Sequence, residues 1–363
     1  MIRPIDMVNT TDIELPPLPF DDFSQYQIKS VAIVSKFSGL LSLWGSSFII
    51  YDILGTKESR DEHLKKAYYR IMLGLSVSDC MISFSAWFLS TWALPRDYVH
   101  DKIVWGNIGN WGTCQAQGFM VHFGGFASAF YTAMLTLHFL LYIKYRWTEE
   151  DFRRIEPFLH GAIWTGALVS ATIPLFNDLY NPEMMFCWVQ SYPYGCEFSE
   201  GFECIFGQNL STYLWSLFFI PVIVCFIMIT SFLGLLVQFT RLQEKRIHRL
   251  STTSMADSAE ERSVTKVVYK RAIKYVFSFI LIWLPEAAFL VSMHFIHIQH
   301  TNFMFALLIL MGLFSPLQGL FNAMIYTHSN LYSFTKKSIA LFQPTILNVP
   351  KRSQDRRGSS ELP

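Results

Sequence analysis

The sequence predicts an all-α membrane protein, a seven-transmembrane-helix bundle with its N-terminus outside and its C-terminus in the cytoplasm. Three observations carry this. Apolar residues make up 52% of the 363 and only 16% are Asp, Glu, Lys or Arg, against about 25% charged in a soluble domain. No charged residue occurs between Glu203 and Arg241, or between Glu286 and Lys336; each gap exceeds the roughly 20 apolar residues that cross a bilayer core as a helix. The basic residues gather in alternate loops. A mean hydropathy of +0.29 makes the lipid bilayer the solvent. A net charge of +1 excludes nucleic-acid binding through bulk charge, because that mode needs a basic face to release counterions. Abundant aromatics and sparse charge exclude disorder over most of the chain.

The elements follow in order. Residues 1–29 are acidic and contain Pro16-Pro17-Leu18-Pro19, too short and polar to fold alone, and form an extracellular tail. They hold no charged-then-apolar leader with a cleavage site, so the first span is expected to act as its own insertion signal. The seven-helix domain is expected over 30–328, with apolar runs at 31–54, 69–94, 114–145, 158–176, 209–240, 271–297 and 303–327. His297-Ile298-Gln299-His300-Thr301-Asn302 marks the tight loop between spans six and seven. A membrane barrel would need short alternating segments, which these are not. In 329–363, Leu331, Phe334 and Phe342 set against Lys336 and Lys337 predict a short interfacial helix before a disordered cytoplasmic tail. No internal repeat is visible, which weighs against an inverted-repeat transporter.

Orientation comes from the 29 Lys and Arg. Arg3, Lys29, Arg96 and Lys102 fall on one side, Lys36 lies within span one, and the rest fall on the other side. The positive-inside rule makes that other side cytoplasmic. Cys80 and Cys225 lie inside spans, whereas Cys114, Cys187, Cys196 and Cys204 lie on the outer side. An even number in the oxidising compartment is what disulfides require, and four cysteines allow three pairings. The sequon Asn9-Thr10-Thr11 is also outside and predicts glycosylation at Asn9. Ser251-Thr252-Thr253-Ser254 follows Arg246 and Arg249 on the inner side, where phosphorylation would add negative charge to a basic surface.

Several polar residues in apolar runs invite chemistry. Asp79 costs a few kcal/mol in a bilayer, so it reads as a buried switch or cation site, or as a hydrogen-bonded packing group. Glu286 directly follows Pro285, whose missing N–H favours a kink; it is either a ligand contact or a satisfied pocket carboxylate. Lys36 either pairs with an acidic loop residue or snorkels to the interface. His294, His297 and His300 recur every three residues, as zinc ligands or as a polar helix end. His122 and His138 stand sixteen apart in span three, where a haem would need facing partners. The glycines at 106, 109 and 112 follow no strand and make no nucleotide cradle. Nothing resembles a nucleophile with a positioned base, so no enzyme and no cofactor are expected.

Span seven ends Ser315-Pro316-Leu317-Gln318-Gly319-Leu320-Phe321-Asn322-Ala323-Met324-Ile325-Tyr326. This resembles the signature of the slime-mould cyclic-AMP-receptor-like (class E) branch of G protein-coupled receptors. Gly45-Ser46-Ser47 in span one, Leu75-Ser76-Val77-Ser78-Asp79 in span two and Cys114-Gln115-Ala116-Gln117-Gly118-Phe119 opening span three are similar to that branch. So are Trp164 in span four and Cys187-Trp188 in the second outer loop. Phe279-Ile280-Leu281-Ile282-Trp283-Leu284-Pro285 resembles the aromatic-Trp-Pro switch of rhodopsin-like receptors. Some secretin-like features accompany these. One departure stands out: Ile143-Lys144-Tyr145-Arg146-Trp147 has no acidic residue before its arginine, so the rhodopsin-like acidic-arginine lock is absent. Span seven also has no lysine to hold retinal.

The resemblance implies a plasma-membrane receptor that couples an extracellular ligand to a heterotrimeric G protein through helix rearrangement. It pairs Cys114 with Cys187 and leaves Cys196 with Cys204. Its switch would comprise Asp79, Trp283, Pro285, Pro316, Asn322 and Tyr326, with Ser76, Ser315 and Asn322 as donors to Asp79. Glu286, Lys36 and His122 would line the ligand pocket. Lys144, Arg146, Arg153, Arg246, Lys270 and Lys274 would contact the G protein. The alternatives are a proton- or ion-coupled transporter using Asp79 and Glu286, and a haem-bearing membrane oxidoreductase.

Overall fold

A computed structural model describes residues 16, 18, 20–198, 201–250, 256–292 and 301–327, without the side chains of 101, 243–250, 256–269, 271, 272, 290 and 301. One compact unit is Met1–Ile325; of a second, Tyr326–Pro363, only Tyr326 and Thr327 are described. Asn9, the 251–254 cluster, His294, His297, His300, the interfacial helix and the tail lie outside the described residues.

Helix starts are set by capping chemistry rather than by where apolar runs begin. α1 (Gln25–Leu54) opens on a capping box in which Ser24 Oγ accepts from the Gln27 N–H at 3.3 Å and Gln27 Oε1 accepts from the Ser24 N–H at 2.9 Å. It therefore starts before residue 31. α2 (Lys57–His63) is a short loop helix capped by Thr56. α3 (Ala67–Ile82) continues through a π-helical stretch, Ser83–Leu89, and a 3₁₀ turn, Ser90–Ala93, to complete span two. α4 (Trp111–Lys144) is capped by the Asn110–Thr113 box. α5 (Glu149–Phe176) is capped by Thr148 and Asp151, and Glu149, Glu150 and Asp151 complement its dipole in the first turn. That polar turn puts its start well before the apolar run at 158.

A two-stranded antiparallel hairpin follows. β1 (Tyr180–Pro182) pairs with β2 (Cys187–Val189), with Asn181 opposite Trp188. Span five comprises α6 (Leu210–Leu214), a π-helical stretch Trp215–Phe219 and α7 (Ile220–Leu250). α8 (Ala256–Val291) contains Pro285. α9 (Thr301–Phe314) passes into a 3₁₀ turn at Ser315–Leu317, where Pro316 has no N–H for an α-helical bond; helical residues 318–327 finish span seven.

Six of these helical segments are long and apolar enough to cross a membrane. α8, packed on α4, α7 and α9, is the seventh member of the bundle. Outward-facing Ile33, Phe37 and Trp44 of α1 and Ile223, Phe226 and Ile227 of α7 are exposed. Apolar faces of that extent suit lipid rather than water. Spans one and seven approach backbone to backbone. A Cβ on Gly45 would lie 2.7 Å from the Gly319 carbonyl oxygen, and one on Gly319 would collide with Ser46 Oγ. The Gly319 N–H donates to Ser42 Oγ at 2.9 Å, so small residues supply both the close approach and the bond between helices.

The largest buried cluster lies at the hairpin end of the bundle. The N-terminal segment joins it. Phe20 is fully buried, with ring centroids 6.4 Å from both Tyr194 and Phe289, and Phe23 meets Phe305 edge-on at 5.9 Å.

Candidate functional site

Asp79 on α3 is fully buried and accepts two short hydrogen bonds. Ser128 Oγ of α4 donates to Oδ1 at 2.6 Å, and Asn322 Nδ2 of span seven donates to Oδ2 at 2.7 Å. Gln318 Nε2 in turn donates to Ser128 Oγ at 2.6 Å. Spans two, three and seven thus meet on one carboxylate whose alternative would be an unpaired group in a medium of low polarity. The expected donors were partly wrong. Ser76 Oγ finds no partner among the described residues, and Ser315 Oγ donates to the Ile282 carbonyl at 3.2 Å. Ser128 was missed because Asp79 selects a donor across helices, and linear spacing does not give that register. A signal existed: Gly124, Ser128, Thr132 and Thr136 form an i+4 row of small or hydroxyl residues on α4.

Toward the hairpin end lies a cavity of about 60 Å³ whose wall includes His122, Glu183, Trp188, Trp283, Glu286 and Phe289. Glu286 and His122 both line it. Lys36 is a correction. Its ammonium donates to the Leu89 carbonyl at 3.0 Å and to Thr91 Oγ1 at 3.3 Å, and it sits 4.5 Å from the Trp92 ring centroid. Those acceptors close the top of span two, so Lys36 is not a wall of this cavity. Glu183, which sequence reasoning passed over as one loop acid among several, is 9% exposed. Burial pushes its carboxyl up to about 8, and the charge of Glu286 adds to the push. Trp283 packs on Phe279 at 5.6 Å, with its indole N–H unpaired among the described residues.

The cavity roof is the β1–β2 hairpin, fixed by the motif that opens α4. Cys114 is disulfide-bonded to Cys187, and Cys196 to Cys204. Gln117 Nε2 donates to the Ser85 and Ser90 carbonyls, both at 2.8 Å, and its Oε1 accepts from the Cys187 N–H at 2.8 Å. One side chain therefore joins the π-helical end of span two to the hairpin. A Cβ on Gly118 would lie 2.5 Å from Tyr180 Cδ1; only glycine lets that ring lie on α4.

Residues 56–326 match the family described as 7 transmembrane receptor (rhodopsin family). The chain belongs to that family. It is similar to squid rhodopsin, whose crystal structure shares 17% sequence identity and a TM-score of 0.63, covering 94% of this chain and 93% of that one. At that identity the likeness bears on the fold alone. No curated protein matches. The protein is thus a multi-pass membrane receptor with a signalling function, in a family of receptors rather than enzymes. The transporter reading built on Asp79 and Glu286 gains no support. The haem reading gains none either, since His122 Nε2 bonds Ser170 Oγ at 2.7 Å and His138 packs on Phe152 at 4.8 Å.

At the end of the receptor opposite the hairpin, Arg70 of α3 grips Glu156 of α5. Arg70 Nε and Nη2 donate to the two carboxylate oxygens, each at 2.6 Å. Glu156 also meets His160 Nε2 at 3.4 Å, and His160 Nδ1 bonds Tyr131 Oη at 2.7 Å. The Tyr68 and Tyr275 hydroxyls bond at 3.0 Å, joining α3 to α8. None of this was legible in the sequence, because each bond pairs residues on different helices. Arg146 is exposed at φ 58°, just past the C-cap of α4, and the Trp147 N–H reaches back to the Leu141 carbonyl at 3.2 Å. That bond folds the chain back over the last turn of the helix. Arg146 thus stands just past the end of the helix. Lys144 is half-buried, Arg153, Lys270 and Lys274 are exposed, and the side chain of Arg246 lies outside the described residues. Pro285 sits inside α8, Pro316 is buried in the 3₁₀ turn, and Tyr326 lies in the last described turn of span seven.

Proposed function

We propose that the hairpin end faces the outside of the cell at the plasma membrane, takes an extracellular ligand, and signals to a heterotrimeric G protein at the opposite end. The observation that carries this reading is the Asp79 hub, which lies between the cavity and the opposite end and joins three spans. Ligand binding must favour one helix arrangement by differential affinity, or it shifts nothing. Trp283 supports a route, being a cavity wall next in sequence to Ile282, whose carbonyl Ser315 of span seven bonds. Gln318, one turn further along span seven, reaches Ser128 and through it Asp79. Asp79, Trp283, Pro285, Pro316, Asn322 and Tyr326 are the proposed switch. Lys144, Arg146, Arg153, Arg246, Lys270 and Lys274 are the proposed G-protein contacts, supported by their basic charge at one end. Residues 1–29 serve as an extracellular tail, 30–328 as the receptor domain and 329–363 as a cytoplasmic segment. Asn9 is a proposed glycosylation site. Pro316-Leu317-Gln318-Gly319 with Asn322 and Tyr326 supports a place near the slime-mould cyclic-AMP-receptor-like branch.

The test has two arms. A tag before Met1 should label on intact cells and one after Pro363 only after permeabilisation; the reverse would sink the reading. A ligand screen against dissociation sensors for many heterotrimers should then yield a response sensitive to guanine nucleotide.

A further inference from the structure

Two carboxylates from different elements, Glu183 of the hairpin turn and Glu286 of α8, line one cavity. Among the described residues, no hydrogen-bond donor or cation reaches either carboxylate, and the charge of Glu286 adds to the cost of ionising Glu183. Lys36, a basic residue within the outer part of α1, is held elsewhere by Leu89 and Thr91. Buried charges are ordinarily paired; this pair has been left open.

His122 lines the same cavity. It is 4% exposed, and its Nε2 lies 2.7 Å from Ser170 Oγ. The two carboxylates are the acidic groups of the wall. Phe126, Phe130, Phe186 and Phe218 complete its wall, and aromatic faces attract cations.

We propose that this cavity binds a ligand bearing a primary ammonium head and a small apolar body. The ammonium has three donors and no acceptor, matching the carboxylate oxygens of Glu183 and Glu286. A cavity of about 60 Å³ limits the buried part to a small group and suits no folded peptide. Glu183 faces Glu286 from α8 and the phenols of Tyr98 and Tyr194. With no ligand its carboxyl is held up near 8, so a cation entering at neutral pH displaces a proton. No covalent step is involved.

The proposal rests on the cavity being the ligand site, and a binding assay without G protein separates it from the signalling reading. Purified full-length receptor is melted with a primary-amine series from methylamine to phenethylamine, with 2-phenylethanol and 3-phenylpropanoate as neutral and anionic controls. At least one amine should raise the melting temperature saturably, and the controls should not. Glu183→Gln and Glu286→Gln should each weaken that amine by at least about tenfold, while their unliganded melting temperatures stay level or rise. Amine-induced stabilisation should strengthen as pH rises from mildly acidic to neutral. Equal stabilisation by the alcohol, no response to any amine, or variants that melt lower yet bind normally would each overturn the proposal.

Discussion

Asp79 is a carboxylate at the junction of three helices, and its two donors differ in what they report. Ser128 belongs to α4 and Asn322 to span seven, so removing either one loosens a different interface. Loss of one partner leaves a buried acceptor short by about 1–3 kcal/mol. Ser128→Ala and Asn322→Ala should each lower the melting temperature of the purified receptor. Combined, they should depart from additivity by about 0.5–3 kcal/mol, because both act on one carboxylate. Strict additivity would mean that the hub is two separate bonds. Asp79 itself was legible as an anomaly of charge in an apolar run. Its partners were only half legible, since Asn322 sits in a recognisable motif and Ser128 does not. Glu183 gives a pH signature. Its carboxyl is raised from the ordinary 4.5 to about 8, so the folded state holds the proton more tightly than the unfolded chain. The stability it contributes is full below about 4.5 and is lost as pH rises through about 8. Melting of the wild type should therefore fall relative to Glu183→Gln between mildly acidic and alkaline pH. Parallel curves would show that the group is not buried as described.

At the level of elements, charge gaps revealed the helices and their order, but not their ends. α1 and α5 begin before their apolar runs because Ser24 and Thr148 cap their starts. The π-helical stretch in span two was invisible, since it depends on Ser85 and Ser90 carbonyls being met by Gln117. Two devices hold the ends. At the hairpin end, the Cys114–Cys187 disulfide is expected to contribute about 2–4 kcal/mol; Cys114→Ala should sharply reduce surface expression, and unchanged expression would remove that role. At the other end, the Arg70–Glu156 pair ties α3 to α5. Breaking a buried pair by deleting one partner costs about 3–5 kcal/mol, largely from the charge left behind. Arg70→Ala should accordingly abolish or strongly reduce folded receptor, and Arg70→Met combined with Glu156→Leu should recover much of it. Recovery failing while each single variant folds normally would contradict the pairing.

Across the whole molecule, the bilayer explains what a soluble fold would not tolerate. Large apolar side chains face outward on α1 and α7, while serines, glycines and the carboxylates of Asp79 and Glu156 occupy helix interfaces. The N-terminal tail was the clearest miss at this scale. Its composition reads as unable to fold alone, yet Phe20 and Phe23 bury themselves in the hairpin-end core, a docking that exists only once the bundle has formed. The family membership makes the bundle a receptor, and in the proposed mechanism the Asp79 hub sets the equilibrium between its two ends. The direct measurement is heterotrimer dissociation in cells by wild type and Asp79→Asn at matched surface expression, with a sensor panel and any stabilising amine. A coupling of about 1–3 kcal/mol corresponds to a five- to 150-fold shift in apparent affinity or basal activation. Asp79→Asn should reach the surface in near-normal amount and show a shift in that range. Wild-type and Asp79→Asn curves that superimpose in every responsive sensor would contradict that mechanism.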